Sequence, residues 1–379
     1  MQPTRPPSPA PLPAPPPTGG GRRRWFELHS WIGLKLCLFM GFICMTGTLA
    51  VFSQEIDWLL HKPMRVADGG DTASWGRMIS AVQTARPDWE LEGISAGHTR
   101  LFAARAQMRL PDGRRRFVWI NPYTAQVTGD TGWFNVQRLL RNTHRHLMLP
   151  VIYGVPLVTA LSVPLLLSWL GSLYIYKKWW RGFFKRPDTA RPRRLWGDLH
   201  RLAGVWSMWF LLLIGITGAW YLIESLGGDA PAAPVTRLVD GDAPARPVDP
   251  AAVDAAVRHV SEQWPGFTPT GALVSGDGRG LVLMGEADAW LVRERANNIA
   301  LDLQDGAVLG RHDGGDLSVH QRIAEMADPL HFGSFGGWPI RLLWFLAGAL
   351  LTSLCFTGVY IYGLRTADAL RARARKAAV

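Results

Sequence analysis

The chain has 379 residues, 48% of them hydrophobic and 18 of them tryptophan, and its formal net charge is +11. Four apolar runs are each long enough to cross a bilayer, which needs about 20 residues, and this excludes a soluble globular protein. The basic residues concentrate beside these runs, so the positive charge indicates membrane topology and not nucleic-acid binding.

The N-terminal part predicts a tail followed by a membrane helix. Residues 1–24 are rich in proline, which is typical of a disordered segment. The apolar run Trp31–Phe52 predicts transmembrane helix 1 at residues 25–53. This run is too long for a signal peptide and no A-x-A cleavage site follows it, so we expect it to be retained.

A long polar segment and a second membrane helix follow. Residues 54–143 predict an α+β module, with a helix at Trp75–Ala85 and a strand–turn–strand unit at residues 115–130. The apolar run Leu147–Tyr176 predicts transmembrane helix 2 at residues 144–177.

The second half repeats this order. A basic link at 178–198 precedes transmembrane helix 3 at 199–224, and a second α+β module follows at 225–330. That module has a predicted helix at Pro250–Gln263 and a strand–turn–strand unit at residues 296–311.

The chain ends with a fourth membrane helix at 331–365 and a basic tail at 366–379. Basic residues before helix 1, between helices 2 and 3 and after helix 4 lie on one side if the chain crosses four times. Both termini and the link are therefore predicted to be cytoplasmic, with the two modules on the other side. The three cysteines lie within the apolar runs, so no disulfide framework is expected.

Four histidines occupy matched positions in the two halves. Gly47 lies 18 residues after His29, and Gly218 lies 18 residues after His200. The second helices match in the same way, because 27 residues separate each of two further His–Gly pairs: His144 and Gly171, and His331 and Gly358. This parallel repeat predicts a four-transmembrane-helix core with pseudo-twofold symmetry about the membrane normal.

Topology sorts these histidines into two pairs. His29 and His200 begin helices 1 and 3 on the cytoplasmic side, whereas His144 and His331 begin helices 2 and 4 on the other side. Glycines one helical turn after His29 and His200, at positions 33 and 204, leave a flat surface that suits a planar macrocycle. Two imidazoles fill both axial positions of a haem, so we expect two haem sites. His146 remains an alternative to His144, which the repeat favours.

The sequence resembles the PepSY-associated transmembrane family through "LHSWIGLKL", "THRHLMLP", "DLHRLAGVW" and "PLHFGSFGG", with "WINPYTAQVTGD" in the first module. Within it, the chain is most similar to bacterial inner-membrane ferric-siderophore reductases of the ferrioxamine B type. The resemblance implies PepSY-like periplasmic modules and two b-type haems. His29 and His200 would bind the inner haem, and His144 and His331 the outer one. One departure is Thr143, where the family usually has an apolar residue.

By this resemblance the chain is an oxidoreductase that reduces Fe(III)-siderophore in the periplasm and releases Fe(II), and we assign no catalytic side chain. No G-x-G-x-x-G or P-loop motif is present, so electrons come from a separate donor, a quinol or a cytoplasmic reductant. Arg138, Arg141 and Arg145 near His144 suit contact with a polar or anionic chelate or with the membrane interface. Two alternatives remain: a haem subunit that reduces a partner protein, and a non-redox PepSY regulator.

Overall fold

A computed structural model describes residues 20–190, 192–231 and 246–377 of the chain. The α-helices are α1 (Gly20–Ala50), α2 (Ser53–Leu60), α3 (Trp75–Ala85), α4 (Val136–His146), α5 (Val151–Thr159), α6 (Ser162–Ile175), α7 (Pro192–Ile223), α8 (Pro250–Gln263), α9 (Val319–Phe332) and α10 (Gly337–Ala377). The strands are β1 (Glu90–Ser95), β2 (Ala104–Arg109), β3 (Arg115–Ile120), β4 (Val127–Gly132), β5 (Thr268–Val274), β6 (Gly280–Glu286), β7 (Asn298–Asp302) and β8 (Val308–His312). The predicted helices Trp75–Ala85 and Pro250–Gln263 are confirmed, as are the two strand–turn–strand units.

Within the described ranges, three helical segments are long and apolar enough to cross a membrane: Val151–Ile175, Pro192–Gly228 and Gly337–Arg375. Helix α1 is bent by 57° between its two parts, Arg24–Trp31 and Lys35–Ala50. If these parts cross the membrane together, they form a fourth span. The chain is therefore a membrane protein with a sheet-rich domain.

The long helices pack in a ring. Helices α1 and α7 each contact both α6 and α10, so α1 and α7 lie diagonally opposite each other. An apolar cluster that includes Phe210, Trp344 and Leu351 joins α7 to α10.

Helices 2 and 4 begin later than the sequence predicts. The predicted helix at 144–177 is interrupted, because Leu147 and Met148 adopt left-handed backbone angles and Pro150 follows them. The predicted helix at 331–365 is likewise interrupted at Gly333, which has φ 69°, and α10 begins only at Gly337. His144 and His331 therefore belong to separate short helices, α4 and α9, that precede the membrane-length segments.

Other predicted boundaries also shift. Helix α1 already includes the end of the predicted tail, whose residues 1–19 lie outside the described ranges. Helix α7 begins inside the predicted link, at Pro192, since proline is favoured in the first turn of a helix. Helix α10 runs on to Ala377, through the alanine- and arginine-rich predicted tail that favours helix.

The two predicted modules share one sheet. Its strand order is β4-β3-β2-β1-β5-β6-β7-β8, and every neighbouring pair is antiparallel. The halves meet where Ile94 of β1 lies opposite Ala272 of β5. The two predicted modules are therefore joined, because the first strand of each half has no partner on one edge within its own half and pairs with the other half there.

Both faces of the first half of the sheet are covered. Val118 and Ile120 of β3 belong to a core that includes residues of α3 and α8, whereas Phe117 and Trp119 point to the other face. Helices α3 and α8 pack closely because Gly76 has no side chain: a Cβ there would lie 2.1 Å from the Pro250 carbonyl oxygen. The face that carries Phe117 and Trp119 lies toward the membrane and is covered by α2 and α4.

Candidate functional site

The structure brings His144 and His331 together at the end of the long helices that lies beside the sheet. We call them the sheet-end pair. Their ring centroids are 6.1 Å apart and the rings are inclined by 44°. Helices α4 and α9, which carry these histidines, pack against α1 and α7 respectively.

His144 is held against helix α1. Its Nδ1 atom lies 2.9 Å from the carbonyl oxygen of Ile43 and must donate there, since a carbonyl only accepts. The ring lies directly on Gly47, where a Cβ would come within 2.6 Å of the imidazole Cε1. Gly47, which lies 18 residues after His29, therefore has to lack a side chain because it contacts the opposite pair.

His331 is held against helix α7. Its Nδ1 atom lies 2.8 Å from the Thr217 hydroxyl oxygen, and that hydroxyl donates to the Leu213 carbonyl at 2.9 Å. The Thr217 oxygen therefore accepts the proton of Nδ1. Tyr221 packs edge-on against the imidazole, with ring centroids 5.3 Å apart.

Burial disfavours the charged form of both imidazoles of the sheet-end pair. Burial lowers the pKa of His331 to about 3, with a smaller contribution from His144. Burial also lowers the pKa of His144, although its hydrogen bond to Ile43 opposes the shift. Because Nδ1 carries the proton in each ring, Nε2 keeps its lone pair.

His29 and His200 form a second pair, the far-end pair. His29 Nδ1 lies 2.9 Å from the Ser168 hydroxyl of α6, and His200 Nδ1 lies 2.8 Å from the Thr357 hydroxyl of α10. Thr357 donates its own proton to the Ser353 carbonyl at 2.7 Å, so it accepts from His200.

The far-end histidines belong to the diagonal helices α1 and α7 and are close enough to interact electrostatically. On α7, Thr217 lies 17 residues beyond His200, so the two pairs are separated by about 25 Å at about 1.5 Å per residue. The pairs therefore stand at opposite ends of the long helices.

All four histidines thus use Nδ1 to bond a neighbouring helix, and no hydrogen bond to their Nε2 atoms is seen among the described residues. This is the arrangement of metal-binding histidines, whose second nitrogen is fixed by a hydrogen bond. Two imidazoles on opposite sides of one ion would have centroids about 6 Å apart, since each metal–nitrogen bond is about 2 Å long. The sheet-end pair fits that spacing.

The number of ligands distinguishes a haem from a bare ion. Among the described residues, no group of three or more His, Cys, Asp or Glu side chains is placed to hold an ion. A structural zinc ion takes four protein ligands, whereas a haem needs only its two axial ones. Each histidine pair offers two imidazoles, which is the number of axial ligands that a haem takes.

His146 takes a different position from its neighbour. Its backbone and Cβ pack against Gly154 of α5, and its Nδ1 atom is buried without a hydrogen-bond partner. The structure places His144, and not His146, beside His331.

The glycines have more varied neighbours than the sequence predicts. Gly358 lies beside the far-end pair, since a Cβ there would be 3.7 Å from His200 Cε1. Gly204 has more open surroundings, with its nearest neighbour at 3.8 Å, which is compatible with the predicted flat patch. Gly218 faces Ser162, and Gly171 faces Trp25, so these two glycines serve helix packing. The surroundings of the glycine at position 33 lie outside the described features.

Sequence reasoning missed the polar groups that fix these histidines. Ser168 and Thr357 gave no signal, but Thr217 did, because a threonine precedes the repeated glycine in both halves. A further network supports α9: the Tyr221 hydroxyl donates to Asp328 at 2.8 Å, and Arg293 donates to Asp328 at 3.2 Å.

The comparisons with known proteins agree with this architecture. The model of the PepSY-associated TM region matches residues 26–365, a range that contains all four histidines. Over 268 residues the chain is 28% identical to the uncharacterized protein PA4219 of Pseudomonas aeruginosa. That alignment covers 62% of this chain and 66% of the relative, so the chain spans just under two thirds of the relative's length. On the match to the family model, the chain belongs to the PepSY-associated TM family.

Proposed function

We propose that the protein is a membrane reductase that binds two b-type haems and reduces a chelated ferric ion on the sheet side of the membrane. The observation that supports this best is the shared tautomer: histidines at both ends of the helices bond a neighbour through Nδ1 and leave Nε2 free. When bound, a haem with two imidazole ligands supplies one-electron transfer and has no open axial position.

The residues of the chain have distinct parts in this proposal. His29 and His200 hold one group near the far end, and His144 and His331 hold the other beside the sheet. The hydroxyls and the carbonyl that bind Nδ1 orient each ring. The ferric chelate approaches the sheet end and its Fe(III) gains one electron, which a quinol or a cytoplasmic reductant supplies and which leaves that donor oxidised by one electron. The Fe(II) that results is held less tightly than Fe(III) by hard oxygen ligands.

The topology of the proposal follows from charge. In this proposal the protein lies in a bacterial inner membrane with its far end facing the cytoplasm, an orientation that the basic residues at the link and at both ends of the helical region support. The sheet would then be periplasmic. An enzyme reporter that requires export, fused after residue 120, should be active; activity of a cytoplasm-requiring reporter at that position would overturn the orientation.

Haem stoichiometry tests the ligand assignment. The wild-type protein should contain two haems per chain, and His144→Ala or His200→Ala should each contain one. His146→Ala is the matched control, because its ring lies apart from the pair, and it should keep two. A wild-type protein with no haem absorption bands would favour a non-redox regulator instead.

Anaerobic reoxidation tests the reaction. Protein reduced with dithionite and freed of excess reductant should be reoxidised by a ferric siderophore, with Fe(II) captured by a chromogenic chelator. His331→Ala should keep the far-end haem and lose most of this rate. Equal rates in the variant and the wild type would show that the sheet-end pair is not on the route to the substrate.

A further inference from the structure

Four arginines form a basic face beside the sheet-end pair. Arg138, Arg141 and Arg145 are spaced by three and four residues on α4, so they share one side of that helix, and Arg105 projects from β2. Within the described residues, none of the four has a carboxylate oxygen within 4.0 Å. Elsewhere on the sheet, Arg109, Arg115 and Arg116 each form an ion pair with a carboxylate.

Two of these arginines lie on aromatic rings between α4 and the sheet. The Arg138 guanidinium is 3.5 Å from the ring centroid of Trp133, and the Arg105 guanidinium is 4.9 Å from that of Phe117. Stacking holds a guanidinium plane in place and leaves its N–H groups free. Such a fixed fork binds planar oxyanions through two hydrogen bonds.

The charge of the basic face is incompletely balanced. The pKa of Arg138 is lowered by burial and then by the charges of Arg105 and Arg141. The pKa of Arg141 is lowered by burial and by Arg145, and only Asp328 and Tyr221 oppose this.

Two acidic side chains interact with the basic face from a distance: Asp328 with Arg141 and Glu294 with Arg105. Asp328 accepts hydrogen bonds from Tyr221 and Arg293, and Glu294 interacts with Arg105 only at longer range. A cluster of like charges with free donors is stabilised when it binds an anion.

We propose that this basic face docks an anionic ferric chelate, one that presents carboxylate or catecholate oxygens, in preference to a neutral or cationic chelate. The inference rests on the proposed function and adds to it the charge class of the substrate. A dissolved chelate fits better than a lipid headgroup, because Arg105 belongs to the sheet and Arg138 is stacked between the sheet and α4. Arg141 and Arg145 flank His144 in sequence, so the chelate would sit next to the electron-donating pair.

Binding of redox-inert gallium(III) complexes tests docking apart from electron transfer. Calorimetry in zwitterionic nanodiscs should show tighter binding of a gallium tris-catecholate, which is anionic, than of a gallium trihydroxamate with an ammonium tail, which is cationic. Arg138→Gln and Arg141→Gln should each weaken binding of the anionic complex by about three- to tenfold. A whole charged cleft raises the local concentration of its ligand by about 10- to 1000-fold, and each of the four arginines contributes part of that effect. Added salt should weaken wild-type binding more than variant binding.

Arg114→Gln is the matched control, because Arg114 is exposed and already bonded to Asp112 at 2.7 Å. It should leave both affinities unchanged. Equal affinity for the two complexes, or no loss in the Arg138 and Arg141 variants, would overturn the proposal. An arginine effect that appears only when anionic lipid is added would assign the face to headgroups and would overturn it as well.

Reoxidation by the matching ferric complexes separates the two proposals. The rate with the anionic ferric complex should exceed that with the cationic one, and the same two variants should reduce the difference. Charge-selective gallium binding without any reoxidation would reject the reductase function and keep the docking site. Reoxidation without charge selectivity would do the reverse.

Discussion

The contact between Gly47 and the His144 ring offers a sharp test of the sheet-end site. An alanine Cβ at position 47 would lie 2.6 Å from Cε1, 2.8 Å from Nδ1 and 3.2 Å from Nε2 of the imidazole. Unstrained contacts between such atoms are about 3.5–4.0 Å, so the ring must move by about 1 Å. Gly47→Ala therefore displaces a proposed ligand without removing it.

The displacement has a predictable size of effect. His144 Nδ1 now lies 2.9 Å from the Ile43 carbonyl oxygen, and a shift of about 1 Å away would break that hydrogen bond. Loss of an orienting hydrogen bond to a metal-binding histidine typically lowers metal affinity by about 10- to 100-fold. We expect Gly47→Ala to bind the sheet-end haem at least about tenfold more weakly and to keep the far-end haem.

The measurement is a haem titration of the purified apoprotein, with the low-spin absorption bands recorded at each addition. Gly363→Ala is the control, since a Cβ there would meet no described atom within 4 Å on the membrane-length helix α10. It should bind two haems as the wild type does. Two tight sites in Gly47→Ala, with unchanged bands, would refute the position assigned to His144.

Two further predictions concern groups that hold the sheet-end helices. Thr217→Val should weaken sheet-end haem binding by about 10- to 100-fold because His331 loses its acceptor. Thr159→Val should not, since the Thr159 hydroxyl bonds the Val155 and Pro156 carbonyls of its own helix. Equal titration curves for the two variants would contradict this role of Thr217. The Asp57 carboxylate, only 1% exposed, accepts hydrogen bonds from the Val136 and Gln137 N–H groups at 2.9 Å each. Asp57→Ala should therefore lower the free energy of unfolding by about 1–2 kcal/mol. Thermal unfolding measures this loss, and Asp112→Ala is the control at an exposed site.

Patterns that repeat along the chain predicted much of the architecture. The apolar runs gave the membrane class, and alternating residues gave the strand–turn–strand units, because both patterns record which side chains are buried. The matched His–Gly spacings predicted two pairs of histidines at opposite ends of the helices. The structure brings His144 and His331 to a ring separation of 6.1 Å, as that pairing requires.

What the sequence did not reveal depends on backbone geometry and on contacts between distant segments. The helix breaks after His144 and His331 arise from left-handed residues, which are glycines only in the second break, at Gly333 and Gly337. Leu147 has no preference for that conformation, so Pro150 was the one local signal of the break before α5. The partner of each Nδ1 atom lies on another helix and could not be read from spacing.

The joined sheet explains why the repeat works as one unit. Strands β1 and β5 occupy the same place in their halves and pair antiparallel, which is how equivalent strands pair about a twofold axis perpendicular to the sheet. The same axis would relate α1 to α7, His29 to His200 and His144 to His331. A site that uses one histidine from each half needs the two halves held in register. The β1–β5 ladder does this outside the membrane, because the buried backbone N–H and C=O groups of these strands are costly to leave unpaired. Duplication alone would supply the four histidines. The shared sheet and the ring of helices hold the two members of each pair within reach of one group.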